Sequence, residues 1–121
     1  MPTSRTTQPS KPRPRHPSET RAAWWYRLRG YRILGGNVWL AGGELDLVVR
    51  RGGTVAFCEV KSKADDRHGD PLEMIPPAKV ARIRRAAEAW LALHPELGGL
   101  EVRFDVVAIR GTKVEHVPDA F

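Results

Sequence analysis

Four charged residues that are suited to metal-dependent chemistry flank a Gly-Gly pair at positions 52 and 53. They are three acids and one lysine: Glu44, Asp46, Glu59 and Lys61. Two adjacent glycines between strand-like segments are typical of a two-residue hairpin turn. Such a turn places Asp46 directly opposite Glu59, and it places Glu44 opposite Lys61. Because strand side chains alternate between two faces, the four charged side chains share one face of the sheet. The other face carries their apolar neighbours Leu45, Leu47, Cys58 and Val60.

Two carboxylates that face each other across a hairpin repel, since like charges directly opposed destabilise a strand pair. A divalent cation relieves this repulsion, and Mg²⁺ takes oxygen ligands from one or two carboxylates while keeping waters for substrate phosphates. Lys61, two residues beyond Glu59, is placed to stabilise phosphate charge or to orient a metal-bound water. A structural interpretation stays open, in which Glu44 and Lys61 form an ordinary ion pair and an arginine holds Asp46.

The hairpin belongs to an alternation of helical and extended segments. A helix is predicted from an N-cap at Ser18 to about Arg29, and a second helix begins at Pro76-Pro77 and ends near Leu93. Strands are predicted at residues 31–34, 38–40, 45–50, 54–61, 102–109 and 113–117. The polar segment 62–75 is predicted to be a long loop. This order predicts an α/β domain with a mixed central sheet flanked by helices.

Composition limits the class of protein. The chain has 121 residues, of which 41% are hydrophobic and 28% are charged, and this is typical of one globular domain. Residues 1–17 are rich in proline and basic side chains and contain no acid, so we expect a disordered tail before a folded domain at 18–121. The net charge of +6 favours an anionic partner. No segment resembles a signal peptide or a membrane span, and Cys58 is the single cysteine, so we expect a cytoplasmic protein without a membrane partner.

An acid followed by acid-x-lysine, here Asp46, Glu59 and Lys61, resembles the motif of the PD-(D/E)xK nuclease superfamily. More closely, the chain resembles the small bacterial YraN-type family, which is largely uncharacterised and is similar to archaeal Holliday junction resolvases. The matching segments fall within residues 18–121 and are 30–34, 43–47, 57–61, 79–83, 103–107 and 120–121. Leu45 stands where the superfamily motif nominally has proline, a departure that removes no proposed ligand.

This resemblance implies a restriction-endonuclease-like fold and a Mg²⁺- or Mn²⁺-dependent endonuclease that acts on DNA, including branched or otherwise structured DNA. It implies that Asp46 and Glu59 hold the metal ion and that Lys61 is the catalytic lysine. Glu19 matches an acid in the family's first helix that can complete the acidic site. From the sequence alone, Glu19 is equally well explained as an acid that stabilises the first turn of a helix. A homodimer is expected by analogy with junction resolvases.

Basic residues near this cluster are candidates for contacts to DNA phosphates; they are Lys63, Arg67, Lys79 and Arg82. Asp105, which lies between apolar neighbours in a predicted strand, is expected to pair with an arginine as part of the structure. Two other functions stay open. One is a nucleic-acid-binding module that keeps the acidic site without efficient cleavage, and the other is a protein-interaction domain with structural carboxylates. The complete set of acids and the lysine favours the nuclease.

Overall fold

Two α-helices and five strands make up the described part of the computed structural model, which comprises residues 16–62 and 75–121. Helix α1 covers Pro17–Arg27, and strands β1, β2 and β3 follow at Arg32–Leu40, Gly43–Arg51 and Thr54–Ser62. Helix α2 covers Pro77–Ala92, and a 3-10 turn at Pro95–Leu97 leads into strands β4 (Glu101–Arg110) and β5 (Lys113–Val117). Neither helix of these two ranges is long and apolar enough to cross a membrane.

The strands form one sheet in the order β1-β2-β3-β4-β5. Three of the four pairings are antiparallel, whereas β3 and β4 are parallel. Parallel neighbours require a crossover connection, and α2 lies in the connection between β3 and β4. The predicted α/β architecture, a mixed central sheet flanked by helices as in the restriction-endonuclease-like fold, is confirmed.

Apolar side chains cover both faces of the sheet. On one face, Ala22, Ala23 and Tyr26 of α1 pack with Leu47 and Cys58. On the other face, α2 packs against the sheet through a second apolar cluster, which contains Val48, Phe57, Ile83, Ala87 and Trp90. Because both faces of the central strands are covered, polar chemistry is confined to the ends of the strands and the edges of the sheet.

Gly43 sets the distance between α2 and the start of β2. A Cβ atom at this position would lie 2.5 Å from the backbone carbonyl oxygen of Arg82, so a larger residue requires the helix to move. Glycine therefore allows the first half of α2 to pack directly against the start of β2. This close approach brings the cationic side chains of Lys79 and Arg82 beside the acids of β2 and β3.

Helix α1 begins two residues earlier than predicted, because His16 and not Ser18 is the N-cap. The Nδ1 atom of His16 accepts a hydrogen bond from the backbone N–H of Ser18 at 3.1 Å, and Glu19 accepts one from the backbone N–H of His16 at 3.3 Å. Pro17 occupies the first helical position, where the missing N–H costs nothing. His16 and Pro17, the last two residues of the tail predicted at 1–17, instead form the cap and first position of α1. Residues 1–15 of that predicted tail lie outside the described residues.

Strand β1 is continuous where two short strands were predicted. Gly35 and Gly36 pair with Val48 and Leu47, and a register shift between Ile33 and Gly35 accommodates the extra residue as a β-bulge. The bounds of the other strands and of α2 agree with the predictions to within two residues. Of the predicted loop, residues 63–74 lie outside the described residues.

Candidate active site

Strands β2 and β3 pair in the register that the Gly-Gly turn predicts, from Arg51 opposite Thr54 to Leu47 opposite Cys58. Beyond Leu47 this ladder of backbone hydrogen bonds ends. The carboxylate of Asp46 continues the pairing, since its Oδ2 atom accepts a hydrogen bond from the backbone N–H of Val60 at 2.9 Å. The strands therefore separate where Asp46 and Glu59 were predicted to face each other, and both carboxylates line one pocket.

The alternation of side chains breaks at Asp46. Leu47, Cys58 and Val60 share the face covered by α1, as predicted. Leu45 packs instead in the core beneath α2, so the prediction that it shares the face of Leu47 is wrong. The break coincides with an irregularity in β1, where Asn37 has a left-handed φ of 53° between the residues that pair with Leu45 and Leu47. At this position Leu45 packs toward α2, and the Asp46 carboxylate accepts the backbone N–H of Val60 in β3.

The pocket has a volume of about 190 Å³ and lies between the start of β2 and the first half of α2. Asp46 and Glu59 line it from the sheet, and Lys79 and Arg82 line it from the helix. Both carboxylates are buried, with 8% exposure for Asp46 and 4% for Glu59. The site thus combines two desolvated acids with cationic side chains on one wall.

Asp46 is a buried carboxylate for which the described chain supplies no cationic partner. Its hydrogen bond comes from the neutral N–H of Val60, and no arginine within residues 16–62 and 75–121 pairs with it. Burial, followed by the negative charge of Glu59, raises the pKa of Asp46 to about 8, and the hydrogen bond from Val60 offsets only part of this. The ionised form of Asp46 is therefore disfavoured in this site, first by burial and then by the charge of Glu59.

Glu59, by contrast, contacts two lysines. Its Oε2 atom lies 2.6 Å from Nζ of Lys79 and 3.4 Å from Nζ of Lys61. Burial lowers the pKa of Lys79, but the bond to Glu59 and the charge of Glu59 outweigh burial and raise it. Lys61 thus contacts the acid two residues before it in its own strand. Lys79, which was predicted to contact phosphate, is directed at the acidic site itself.

Glu19 lies close to the pair without joining it. Its carboxylate completes the capping box at the start of α1. Its charge still contributes to the raised pKa of Asp46, after burial and the larger effects of Glu59 and Glu44. Within the two described ranges, no three His, Cys, Asp or Glu side chains lie close enough together to hold a metal ion. The structure therefore brings together Asp46, Glu59 and Lys61, with Glu19 at the periphery.

The pair Asp46 and Glu59 fits a hard divalent cation. Mg²⁺ needs only one or two carboxylates from the protein, and Mn²⁺ accepts the same oxygen ligands. Burial, and after it the charge of Glu59, raises the pKa of Asp46, and a bound cation would offset both because it favours the ionised carboxylate. Since Lys61 and Lys79 already contact Glu59, a cation would share this acid with two ammonium groups.

Trp39 is a residue that the sequence analysis did not assign to the site. It lines the pocket from the edge strand β1 and is 40% exposed. The pairing of Trp39 with Glu44 across β1 and β2 is what places Trp39 at the pocket. An exposed ring beside cationic side chains is suited to stacking on a nucleic acid base. Among the predicted phosphate contacts, Arg82 lines the pocket, whereas Lys63 and Arg67 lie outside the described residues.

A second buried acid, Asp105 of β4, has a complete set of partners. Arg103 donates to both of its oxygens, at 2.8 and 2.9 Å, and Tyr26 Oη donates at 2.9 Å. His116 Nε2 lies 2.9 Å away, and the backbone N–H of Asp119 donates at 3.1 Å. Burial alone raises the pKa of Asp105, but these partners outweigh burial and hold the pKa well below its usual range. The predicted structural pairing with an arginine is confirmed.

Together the fold and the site define a small α/β protein whose mixed sheet holds two buried acids and a lysine on adjacent strands. The sequence matches the Uncharacterised protein family UPF0102 over residues 18–109, and the chain belongs to this family, the YraN-type family of the sequence resemblance. It is 44% identical over 109 residues to a UPF0102 protein of Paramagnetospirillum magneticum, which covers 86% of this chain and 83% of that protein. A UPF0102 protein of Frankia casuarinae is 44% identical over 97 residues, covering 76% and 81%, and one of Bartonella bacilliformis is 39% identical over 99 residues, covering 82% and 80%.

Proposed function

We propose that this protein is a metal-dependent endonuclease of the PD-(D/E)xK superfamily that acts on DNA, including branched or otherwise structured DNA. The observation that carries the proposal is the pocket in which two buried carboxylates, Asp46 and Glu59, lie beside Lys61. An acid with a strongly raised pKa in a cleft is a candidate functional group, because structural carboxylates are normally neutralised by partners. Asp46 has no such partner in the described chain.

In this proposal Asp46 and Glu59 hold a Mg²⁺ or Mn²⁺ ion, and Glu19 adds a third acidic charge from α1. The ion would polarise the phosphodiester and lower the pKa of a water molecule that attacks it. Lys61 stabilises the negative charge that develops on the phosphate, since its ammonium group offers three donors and a fixed positive charge. Lysine is not a metal ligand in its cationic form, so its role is separate from that of the two acids.

Positive charge supports nucleic acid as the substrate. The chain carries a net charge of +6, and neutralisation of backbone phosphates supplies much of the affinity of DNA-binding proteins. The proposed phosphate contacts are Lys63, Arg67, Lys79 and Arg82. Arg82 borders the pocket, and Lys79 would exchange its bond with Glu59 for one with a substrate phosphate. A cytoplasmic location and a homodimer, the latter by analogy with junction resolvases, complete the proposal.

A cleavage panel tests this function. Wild type and Asp46→Asn are incubated with linear duplex, single-stranded, flapped and four-way DNA in the presence of Mg²⁺, Mn²⁺ or EDTA. We expect cleavage by wild type with metal and none by Asp46→Asn, whose amide keeps the acceptor for Val60 but loses the charge. Equal cleavage by the two proteins would refute the assignment of Asp46.

One observation favours a nucleic-acid-binding module as a second candidate. Lys61 and Lys79 already neutralise Glu59, as they would in a protein that never binds metal. Calorimetric titration with Mg²⁺ and Mn²⁺ separates the two functions. The nuclease requires binding that Asp46→Asn abolishes, whereas DNA binding by wild type with neither metal binding nor cleavage identifies the module.

A further inference from the structure

A concentration of positive charge lies at the opposite end of β2 from the acidic pocket. Arg32 of β1 pairs directly with Arg50 of β2, and Arg51 follows in the sequence. The three arginines, with Gly30 and Gly52, line a cleft of about 370 Å³. Like charges placed directly opposite each other destabilise a strand pair, so a bound anion would stabilise this arrangement.

The described chain does not supply that anion. Within residues 16–62 and 75–121, no carboxylate forms an ion pair with any of the three arginines. Arg50 Nε donates instead to the carbonyl oxygen of Gly52 at 3.0 Å, and Arg51 Nη1 donates to that of Arg29 at 3.0 Å. The Arg51 guanidinium also lies 4.5 Å from the ring centroid of Tyr31. These neutral contacts position the guanidinium groups and leave their charges uncompensated.

The sequence around the cleft is free of acids over long stretches. There is no Asp or Glu between Glu19 and Glu44, and none between Asp46 and Glu59. The arginines of the cleft lie within these two stretches, so no acid adjacent in sequence offsets their charge. Glu101 of β4 lies beside the same turn, where its carboxylate accepts a hydrogen bond from Thr54 Oγ1 at 3.0 Å. The cleft and the acidic pocket thus have opposite charge at the two ends of one strand.

We propose that Arg32, Arg50 and Arg51 form a second site that binds backbone phosphates of nucleic acid. The planar guanidinium group presents paired donors that match two phosphate oxygens, and it remains charged at any physiological pH. Because Arg50 and Arg51 are already held by hydrogen bonds, they lose little side-chain freedom when they bind. This inference rests on the proposed function for the choice of nucleic acid over an acidic protein segment.

The spacing of the two sites suits one nucleic acid strand. Asp46 and Arg50 are four residues apart on β2, which corresponds to about 14 Å in an extended strand. Phosphates of one DNA strand follow each other about every 3.4 Å along the axis, so the cleft holds the backbone roughly four nucleotides from the acidic pocket. Both sites also border edge strand β1, through Trp39 at one end and Arg32 at the other.

The test measures binding of full-length protein to a 30-base-pair duplex DNA in EDTA, so that cleavage plays no part. Each phosphate contact contributes about 0.9 to the slope of log affinity against log salt. We expect Arg50→Gln to reduce the slope by about 0.9, with affinity at 0.1 M salt falling about eightfold, and Arg32→Gln/Arg50→Gln to reduce the slope by about 1.8. Lys113→Gln, which removes one exposed charge from β5, serves as the control and should leave the slope unchanged.

Folding is monitored by the melting temperature, which we expect to be unchanged or higher in Arg50→Gln because an opposed charge is removed. Arg50→Lys keeps the charge and should keep the salt slope. An unchanged slope and affinity in Arg50→Gln would overturn the proposal, as would an equal loss of slope in Arg50→Lys. If Arg50→Gln lost polyglutamate binding without losing DNA binding, the result would also overturn the phosphate site, in favour of an acidic protein partner.

The outcome separates this site from the nuclease function. A protein that binds DNA through these arginines but cleaves none of the substrates retains the phosphate site and lacks the proposed activity. A protein that cleaves DNA with an affinity insensitive to Arg50→Gln and Arg32→Gln retains the activity and lacks the phosphate site.

Discussion

Two buried aspartates in neighbouring parts of one sheet have opposite electrostatic surroundings. Asp105 is fully buried and Asp46 is 8% exposed, so burial alone raises the pKa of both. Asp105 nevertheless has a pKa well below its usual range, whereas the pKa of Asp46 is raised to about 8. At Asp46 burial prevails because one neutral N–H donor offsets only part of it, whereas at Asp105 the hydrogen-bonding partners together outweigh burial.

The partners differ in kind. Asp105 contacts the guanidinium of Arg103, the phenol of Tyr26 and the imidazole of His116, which come from β4, α1 and β5. These groups lock three elements around one ionised carboxylate. Asp46 has one neutral donor in the described chain, and its nearest charged influence is the acid Glu59. A carboxylate whose negative charge is left uncompensated is available to a ligand, and a fully partnered one serves the fold.

The largest expected effect is on the structural aspartate. Asp105→Asn should reduce the free energy of unfolding by about 3–5 kcal/mol, because it leaves the Arg103 charge without its buried partner. Urea denaturation measures this loss, with Asp46→Asn as the matched control. A loss below about 1 kcal/mol would show that the Asp105 network is not a structural requirement and would remove the contrast between the two acids.

The second-largest expected effect is at the acidic site of Asp46 and Glu59, where the variant of Lys61 separates catalysis from stability. Lys61→Ala should reduce the rate of cleavage about 100- to 1,000-fold, because it removes a charge that acts mainly in the transition state. Metal affinity should be unchanged or higher, since a positive charge near Glu59 is lost. Single-turnover cleavage and calorimetry provide the two measurements, with Lys113→Ala as the control. Unfolding of Lys61→Ala would instead assign the lysine to the structure.

The two aspartates should also give opposite dependence of stability on pH. An unfolded aspartate titrates near pH 4. Since the folded pKa of Asp46 is about 8, the folded state binds an extra proton between these values, and its stability falls as pH rises from about 4 to 8. Asp105 has the reverse sign: its contribution is present above pH 4 and is lost as pH falls toward its depressed folded pKa.

Asp46→Asn isolates the first of these contributions. In metal-free buffer the variant should be more stable than wild type at pH 8 by a few kcal/mol, and the difference should vanish toward pH 4. Urea denaturation across this range provides the measurement. A variant that is less stable than wild type at pH 8 would mean that Asp46 serves the fold as Asp105 does.

Local spacing accounts for the parts that were predictable from the sequence. The Gly-Gly turn determines which residues of β2 and β3 face each other, and alternation correctly places Leu47, Cys58 and Val60 together. Arg103 and Asp105 are two residues apart in one strand, so their pairing also follows from alternation.

Features that depend on distant parts of the chain were not predictable. Leu45 faces α2 where the alternation of β2 breaks, opposite the left-handed Asn37 of another strand. The contact between Lys79 and Glu59 depends on how closely α2 approaches the sheet, which Gly43 controls. His16 and not Ser18 is the N-cap, since its imidazole accepts a hydrogen bond from the backbone N–H of Ser18, two residues further along the chain.

The smallest expected effect concerns Glu19, which acts both as a structural acid, like Asp105, and as a charge near the site of Asp46. Its carboxylate caps α1, as a structural acid does, and its charge also reaches Asp46. Glu19→Gln keeps the capping box, since glutamine is also suited to its third position, so the free energy of unfolding should change by less than about 0.5 kcal/mol. A charge that acts through solvent is worth about 0.4–1 kcal/mol here, within the range of exposed charge pairs, so Mg²⁺ binding should weaken about two- to fivefold. Calorimetric titration checks this value: unchanged affinity would make Glu19 a cap alone, and a loss well above tenfold would make it a direct ligand beside Asp46 and Glu59.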